Sequence, residues 1–351
     1  MFFSANGTMP SAKSRAKTKI SYLPGPTDQR IDALLALLAD NPTIVISGAS
    51  IAREIGVKRQ TVWRWIETLR ESGVNVKGHP RSGYHIERVP DVLAPQLLLR
   101  HLRGTPFTKR ILHFFQTEST NDVAMRLGES GEPHGSVVIA ERQTAGRGRA
   151  GHSWISEKSV GIYVTILLRP AISLIQSPAL TLVAGLAVRD AIAEETGLQP
   201  DIRWPNDVLL NGKKVCGILT EMQAELDRIH FAAVGIGINV NQSKMPAELA
   251  GIGTSLRIET GRVHSRLELL ARLLRRLDHY YNQFMNEGAA PIVQRFAETS
   301  SYARGKRVRI ATGTASFVGT TAGLEPSGIL RVQRDDGRIE PVISGTVSEA
   351  H

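Results

Sequence analysis

The spacing of apolar side chains changes twice along this chain, and that change limits the fold more than any other feature. Ile31, Leu34, Leu35 and Leu38 recur at i, i+3, i+4 and i+7, the stripe of an amphipathic helix. Between residue 111 and about 240, short apolar runs of strand length alternate with helical stretches. From about 305 onward only strand-like alternation remains, broken by glycines and by Asp335-Asp336-Gly337. Such a chain cannot be one bundle or one sandwich and needs separate α-rich, mixed and all-β units. Its 351 residues suit two or three domains.

Hydrophobic residues make up 42% of the chain and charged residues 22%, enough to bury a core throughout most of it. No run approaches the roughly 18 apolar residues of a membrane span. The start carries two phenylalanines ahead of its basic residues and no apolar block, so a secretory signal is not expected. One cysteine, Cys216, excludes an internal disulfide framework and a cysteine zinc cluster. A reducing cytoplasm suits it.

The first unit reads as helix, helix, tight turn, helix and β-ribbon. Residues 1–28 read as a small, polar, basic tail without fixed structure. A helix begins at Ile31, a short second one follows Ser47 and stops at Gly56, and a third spans 59–72. Strands at 74–77 and 84–86 then flank the turn-rich 78–83. This order is a winged helix-turn-helix. Net charge agrees in sign: residues 1–90 hold 13 Lys and Arg against 7 Asp and Glu, within +10 for the whole chain. Lys13, Arg15, Lys17 and Lys19 supply four of those cations from the tail, so charge alone also suits a solvated segment. Val62, Ile66 and Leu69 take the core face of the third helix, leaving Arg59, Gln60, Thr61 and Arg64 outward. Arg and Gln are types that read guanine and adenine edges, whereas Lys58 and Arg81 of the wing suit phosphates.

Residues 91–110 read as a helical connection. Strands follow at 136–141, 161–168, 214–222 and 228–236, with helices at 180–196 and 265–286, which makes an α+β unit on a mixed sheet. Four more strands, at 307–311, 315–319, 328–333 and 340–343, suit a small barrel.

Three motifs carry chemistry. Gly146-Arg147-Gly148-Arg149-Ala150-Gly151 fits G-x-G-x-x-G literally, yet a dinucleotide loop must open a helix and this one leads into a strand. Glycines admit close backbone approach and arginine forks suit carboxylates and phosphates, so the loop fits anions; a basic surface hairpin is the plainer alternative. Arg203-Trp204-Pro205-Asn206-Asp207 precedes Lys214, which opens an apolar strand where an ammonium needs an anion. Asn206 and Asp207 are oxygen donors of the kind Mg²⁺ takes alongside phosphates, and they equally suit a turn. Gly235-Ile236-Gly237-Ile238-Asn239 ends a strand and reads either as a bulged, packed strand or as a close approach to a ligand.

Taken in order with Ser119-Thr120-Asn121 and the N-terminal unit, these motifs resemble the bifunctional biotin protein ligases that double as biotin-operon repressors, over residues 29–351. The resemblance implies three domains: a winged helix-turn-helix at 29–90, a class II synthetase-like ligase domain on a mixed sheet at 91–302, and an SH3-like β-barrel at 303–351. It implies ATP, Mg²⁺ and biotin as substrates and cofactors, biotinyl-5′-AMP as intermediate, and biotin carboxyl carrier protein, operator DNA and a ligand-promoted homodimer as partners. It further implies that Ser119, Thr120, Asn121, Gln143, Gly146, Arg147, Lys214, Gly217 and Gly235 hold biotin. Arg147, Arg149, Trp154, Asn206, Asp207 and Asn239 then hold ATP or the adenylate, with Lys214 and Arg149 catalytic and Asp207 near Mg²⁺. Ser119-Thr120-Asn121 would also serve as a helix cap, and Trp154 as core. Thr346 stands where the family often carries an acid, so the C-terminal unit is expected to offer little to the nucleotide or to its neighbours. A lipoate ligase shares the fold; a ligase with a vestigial winged helix and a ligand sensor without catalysis are the other functions considered.

Overall fold

The computed structural model describes residues 26–79, 81–225, 228–312 and 315–350, so most of the basic tail lies outside the described residues. Helix α1 (Pro26–Asp40) begins inside the stretch read as tail, with proline at the first helical position, where its missing N–H is no loss. α2 (Gly48–Ile55) is capped as the sequence suggests: Ser47 Oγ accepts from Ser50 N at 3.0 Å and Gly56 closes it at φ 73°. α3 (Arg59–Glu71) buries Val62, Trp65, Ile66 and Leu69, and Lys58 stands at its start without a side-chain cap. β1 (Val76–His79) and β2 (Gly83–Ile86) form the antiparallel wing. Ile46 and Tyr84 exchange both main-chain hydrogen bonds, bringing β2 against the residue before the α2 cap. A side chain at Gly83 would put its Cβ 2.1 Å from Ile46 O, so only glycine fits there.

The helical connection expected over 91–110 is mostly irregular. Only α4 (Pro95–Leu98) and a single 3₁₀ turn at Pro106–Thr108 form. Pro90, Pro95, Gly104 and Pro106 interrupt the apolar pattern before a helix can propagate.

The central unit is a seven-stranded sheet in the order β3-β4-β5-β9-β8-β7-β6. Its strands are β3 (Ile111–Phe114), β4 (Ser136–Ala140), β5 (Gly161–Leu168), β6 (Asp201–Arg203), β7 (Asp207–Leu210), β8 (Lys213–Glu225) and β9 (Arg228–Asn239). β3 and β4 are parallel and every other pair is antiparallel. α5 (Thr120–Glu129) covers one face with Val123, Ala124 and Leu127 against Val138, Leu167 and Phe231. α6 (Pro178–Thr196) lies on the other, backed by α8 (Arg266–Glu287) and α9 (Ala290–Thr299), and the short α7 (Leu256–Thr260) precedes α8 in the chain. Covered on both faces, β5 is buried at all eight positions, which is why its sequence shows no alternation.

The C-terminal unit is a five-stranded antiparallel sheet: β10 (Arg304–Thr312), β11 (Ala315–Leu324), β12 (Leu330–Arg334), β13 (Ile339–Val342) and β14 (Thr346–Glu349), in the order β13-β12-β11-β10-β14. The fifth strand, β14, was not among the four read from the sequence. The C-terminal unit contacts the central one through its backbone: Trp204 Nε1 donates to Gly328 O at 2.9 Å and Arg149 Nη1 to Gly345 O at 3.4 Å. Thr346 thus does not remove interdomain contact, because main-chain carbonyls supply it.

A buried ionic chain ties the winged helix to the sheet. His113 on β3 meets Asp32 of α1 at 2.9 Å and Glu141, after β4, at 3.5 Å. The other Glu141 oxygen accepts from Arg266, the first residue of α8, at 2.8 Å, and Arg266 Nε donates to Asp91 in the connection at 2.9 Å. Burial alone would push His113 down, but the two carboxylates outweigh it and raise it to about 9. Among the described residues no helix is long and apolar enough to cross a membrane.

Candidate active site

The site opens where β3 hands over to α5. Ser119 occupies the N-cap position with extended backbone but makes no capping hydrogen bond, so its buried hydroxyl is left for the cavity. Gln143 caps in its place: its Oε1 accepts from Thr120 N at 2.8 Å and from Thr120 Oγ1 at 3.1 Å, and its Nε2 donates to Ser156 Oγ at 2.9 Å. Behind them the buried Thr165 hydroxyl donates to Asn121 Oδ1 at 2.7 Å, and Asn121 Nδ2 donates to Glu221 Oε2 at 2.9 Å. A Cβ at Gly235 would sit 2.0 Å from Asn121 Oδ1, so that position must be glycine for Asn121 to lie there. The result is a narrow cavity of about 50 Å³ on whose wall Thr120, Asn121 and Gln143 already have their partners while the Ser119 hydroxyl makes no capping bond.

The Gly-Arg loop is a hairpin, not a helix start. Gly148 N donates to His152 O at 2.6 Å and Trp154 N to Gly146 O at 2.8 Å, with a 3₁₀ turn at Arg149–Gly151 between them. This folds Trp154 back over β8 and β9, where Gly217 and Gly237 stand opposite each other. Built Cβ atoms there would fall 2.9 Å and 2.5 Å from the indole, so the glycine pair makes the floor on which Trp154 lies. The Trp154 Nε1 is buried without a hydrogen-bond partner.

Three cations face this floor. Arg147 Nη2 donates to Asp122 at 2.6 Å and Glu221 at 2.7 Å, and these carboxylates outweigh burial in keeping it charged. Arg149 Nη1 donates to Asn206 Oδ1 at 3.1 Å; burial lowers its pKa, with Asp207 offsetting part of that. Lys214 Nζ lies 2.6 Å from Asp207 Oδ1 and 5.6 Å from the Trp154 ring centroid. The other Asp207 oxygen accepts from Arg203 at 2.7 Å. Both oxygens therefore already face cations, and among the described residues no cluster of three or more His, Cys, Asp or Glu is arranged to hold a metal. This geometry does not fit the Mg²⁺ ligand expected at Asp207, which instead anchors Lys214 and Arg203.

A second cavity, of about 240 Å³ and mostly apolar, lies beyond Trp154 and shares Trp154 and Lys214 with the first. Asn239, Gln242, Met245, Leu249 and Ile252 line it. Of the residues read from the sequence, Ser119, Thr120, Asn121, Gln143, Arg147, Arg149, Trp154, Asn206, Lys214, Gly217 and Gly235 gather around the first cavity and Asn239 around the second. Gly146 lines the outer cleft beside the hairpin, and Asp207 stands behind Lys214. Thr165, Glu221 and Gln242 were missed. Thr165 and Glu221 lie inside apolar strands and carry no local motif; Gln242 sits three residues past Asn239 and could have been read as part of that motif.

On the winged helix, Arg59, Gln60, Arg64 and Arg81 are exposed and Thr61 is half-buried. The sequence reading missed Trp63, 55% exposed on the same outer side of α3.

Comparison with known proteins agrees with this geometry. Residues 114–241 match the biotin/lipoate A/B protein ligase family, residues 30–85 an HTH domain and residues 304–348 the biotin protein ligase C terminal domain. The bifunctional ligase/repressor BirA of Bacillus subtilis (strain 168) is 36% identical over 306 residues, 87% of this chain and 94% of that protein. Its namesake from Escherichia coli (strain K12) is 29% identical over 320 residues, 90% of this chain and 95% of that one. A solved structure of the biotin protein ligase from Aquifex aeolicus in complex with biotin and ATP matches with a TM-score of 0.61 at 31% identity, over 69% of this chain and 100% of that chain. A polar cavity walled by the Gly-Arg hairpin, the three matched segments in their order and a relative covered almost end to end lead to one conclusion: this chain belongs to the biotin protein ligase family, in its bifunctional ligase/repressor group.

Proposed function

We propose that this protein activates biotin with ATP as biotinyl-5′-AMP, passes the biotinyl group to a lysine of biotin carboxyl carrier protein, and represses transcription through its winged helix with the adenylate as corepressor. The observation that carries this reading is the shared wall: Trp154 and Lys214 line both the small polar cavity and the larger apolar one. Biotin in the first and the nucleotide in the second would meet at Lys214.

In the first step a carboxylate oxygen of biotin attacks the α-phosphorus, the bond to the bridging oxygen breaks and pyrophosphate leaves. Two anions must approach each other in a site of low dielectric, and the cations oppose that repulsion. Arg147 serves the carboxylate, and Lys214, set by Asp207, serves the charge growing on the α-phosphate. Ser119, Thr120, Asn121 and Gln143 hold the biotin ring system, and the Gly217 and Gly235 backbones admit it closely. Arg149, joined to Asn206 and to Gly345 of the C-terminal unit, closes the anhydride off from water. In the second step the carrier lysine amine attacks the anhydride carbonyl, loses a proton, and AMP leaves as the amide forms. Mg²⁺ belongs to this reading only as the ion that nucleotide phosphates bring with them.

We assign residues 29–90 to DNA, 91–302 to catalysis and 303–351 to the C-terminal domain, in a cytoplasmic protein that dimerises on binding ligand. Biotin-dependent exchange of labelled pyrophosphate into ATP, compared with the same assay on lipoate, tests the ligase. Exchange with biotin followed by labelling of a carrier domain is expected. Absence of exchange would sink the ligase, and exchange with lipoate alone would reassign the substrate. Gel shifts on DNA upstream of biotin-synthesis genes, with and without biotin plus ATP, test the repressor. No ligand-dependent shift would leave a ligase with a vestigial winged helix.

A further inference from the structure

Gln242 follows β9 by three residues and is only 5% exposed. Its backbone is held on every side. Val240 O accepts from Arg257 N at 2.9 Å, Asn241 exchanges two hydrogen bonds with the main chain of His264, and Gln242 O accepts from Ser255 Oγ at 2.7 Å. The side chain is also directed: its Nε2 donates to Asn239 Oδ1 at 3.4 Å, while Asn239 Nδ2 is committed to Thr254 O at 3.0 Å. The remaining Oε1 is buried without a hydrogen-bond partner, and Gln242 is among the residues that line the 240 Å³ cavity. An amide oxygen kept dry and unpaired is unfavourable unless a ligand completes it.

The ligand must therefore be flat, largely apolar and equipped with an N–H donor at its edge. The indole of Trp154, with Met245, Leu249 and Ile252, supplies apolar surface for a planar ring. An adenine base meets all three demands, since its exocyclic amine donates. A guanine base presents a carbonyl oxygen at the same place and would set two acceptors against each other.

Resting on the reading of this cavity as the nucleotide half of the site, we infer that Gln242 selects adenine by accepting a hydrogen bond from its exocyclic amine through Oε1. A site built around one hydrogen bond rejects the analogue that lacks it far more strongly than an apolar pocket does. The selection therefore resides in the amide oxygen and not in cavity size.

The test compares ATP with purine-riboside triphosphate, which carries hydrogen in place of the amine, in biotin-dependent pyrophosphate exchange by the full chain and by Gln242→Leu. The wild type should prefer ATP in kcat/KM by about tenfold or more. In Gln242→Leu the preference should shrink to within about twofold, mainly through a raised KM for ATP. GTP should be a poor substrate for the wild type and improve relative to ATP in the variant. A Gln242→Leu protein that keeps the full preference overturns the inference, as does one that loses activity equally on both triphosphates, which is the mark of a packing role. A wild type that uses ATP without preferring it also overturns the assignment of Gln242, while leaving the ligase standing. A wild type with no exchange at all is a failure of the ligase reading itself. Biotin affinity in the first cavity, measured by titration on both proteins, should agree within about twofold and confirms that the variant is folded.

Discussion

Lys214 shows how little of a residue's role lies in its own side chain. Its ammonium is held by Asp207 at 2.6 Å and lies 5.6 Å from the Trp154 ring, so it sits between the two cavities. Lys214→Ala should slow adenylate formation by on the order of 10²-fold or more, because the α-phosphate loses its nearest cation. Pyrophosphate exchange at an unchanged rate would contradict that role. Gly237 makes a complementary case without any functional group. A methyl there would press against Trp154 at 2.5 Å, whereas one at Gly251 meets nothing within 4 Å. Gly237→Ala is thus expected to lower kcat/KM for ATP by about tenfold or more by displacing the indole, with Gly251→Ala as wild type. Steady-state kinetics on the pair would check this, and equal behaviour would remove Trp154 from the nucleotide site.

At the scale of elements, the hairpin and the wing both use a turn to place arginines. Arg81 sits at the wing tip with φ 65°, in the left-handed region, with its side chain exposed. Gln60 and Arg59 occupy the first turn of α3, the part of a recognition helix that reaches base edges. On one operator Gln60→Ala should cost about 1–3 kcal/mol and relax specificity, while Arg81→Ala should weaken all sequences and flatten the salt dependence. Fluorescence anisotropy at several salt concentrations separates the two; identical salt slopes for both variants would show that Arg81 touches no phosphate. Elements were read well where the pattern was local, as in α2, α3 and β5. The connection over 91–110 and strand β14 were read badly. Prolines override the apolar spacing in the first, and the second is a four-residue strand whose edge pairing with β10 is not encoded nearby.

For the whole molecule, the junction between winged helix and catalytic sheet depends on the buried His113. Its pKa in the fold is about 9, above the ordinary imidazole value, so the protonated ring is favoured by folding. That stabilisation is complete below about pH 6.5 and is lost as pH rises through about 9. Glu141 runs the other way. Burial would raise it, but Arg266, His113 and the Leu93 N–H together hold it well below the usual carboxylate range. Its contribution is present above about pH 4.3 and falls away in acid. Thermal melts of the wild type should therefore lose several degrees between about pH 6.5 and 9, a slope that His113→Gln should remove. Parallel curves for the two proteins would mean that the ring is neutral in the fold.

The sequence by itself determined the order of the three units, the caps of α2, the core face of α3 and the residues of the Gly-Arg, Trp-Pro-Asn-Asp and Gly-Ile-Gly motifs. Each of these depends on neighbours within one or two turns, where periodicity and capping operate. Tertiary structure decided what those motifs became. It set Gly217 against Gly237 beneath Trp154, turned both oxygens of Asp207 toward cations and left Gln242 Oε1 without a partner. It also joined Asp32, Asp91, His113, Glu141 and Arg266, drawn from three elements and two connecting segments, into one buried chain. Whether a charge is free or paired depends on which other charges share its burial, and chain spacing carries no record of that for residues a hundred positions apart.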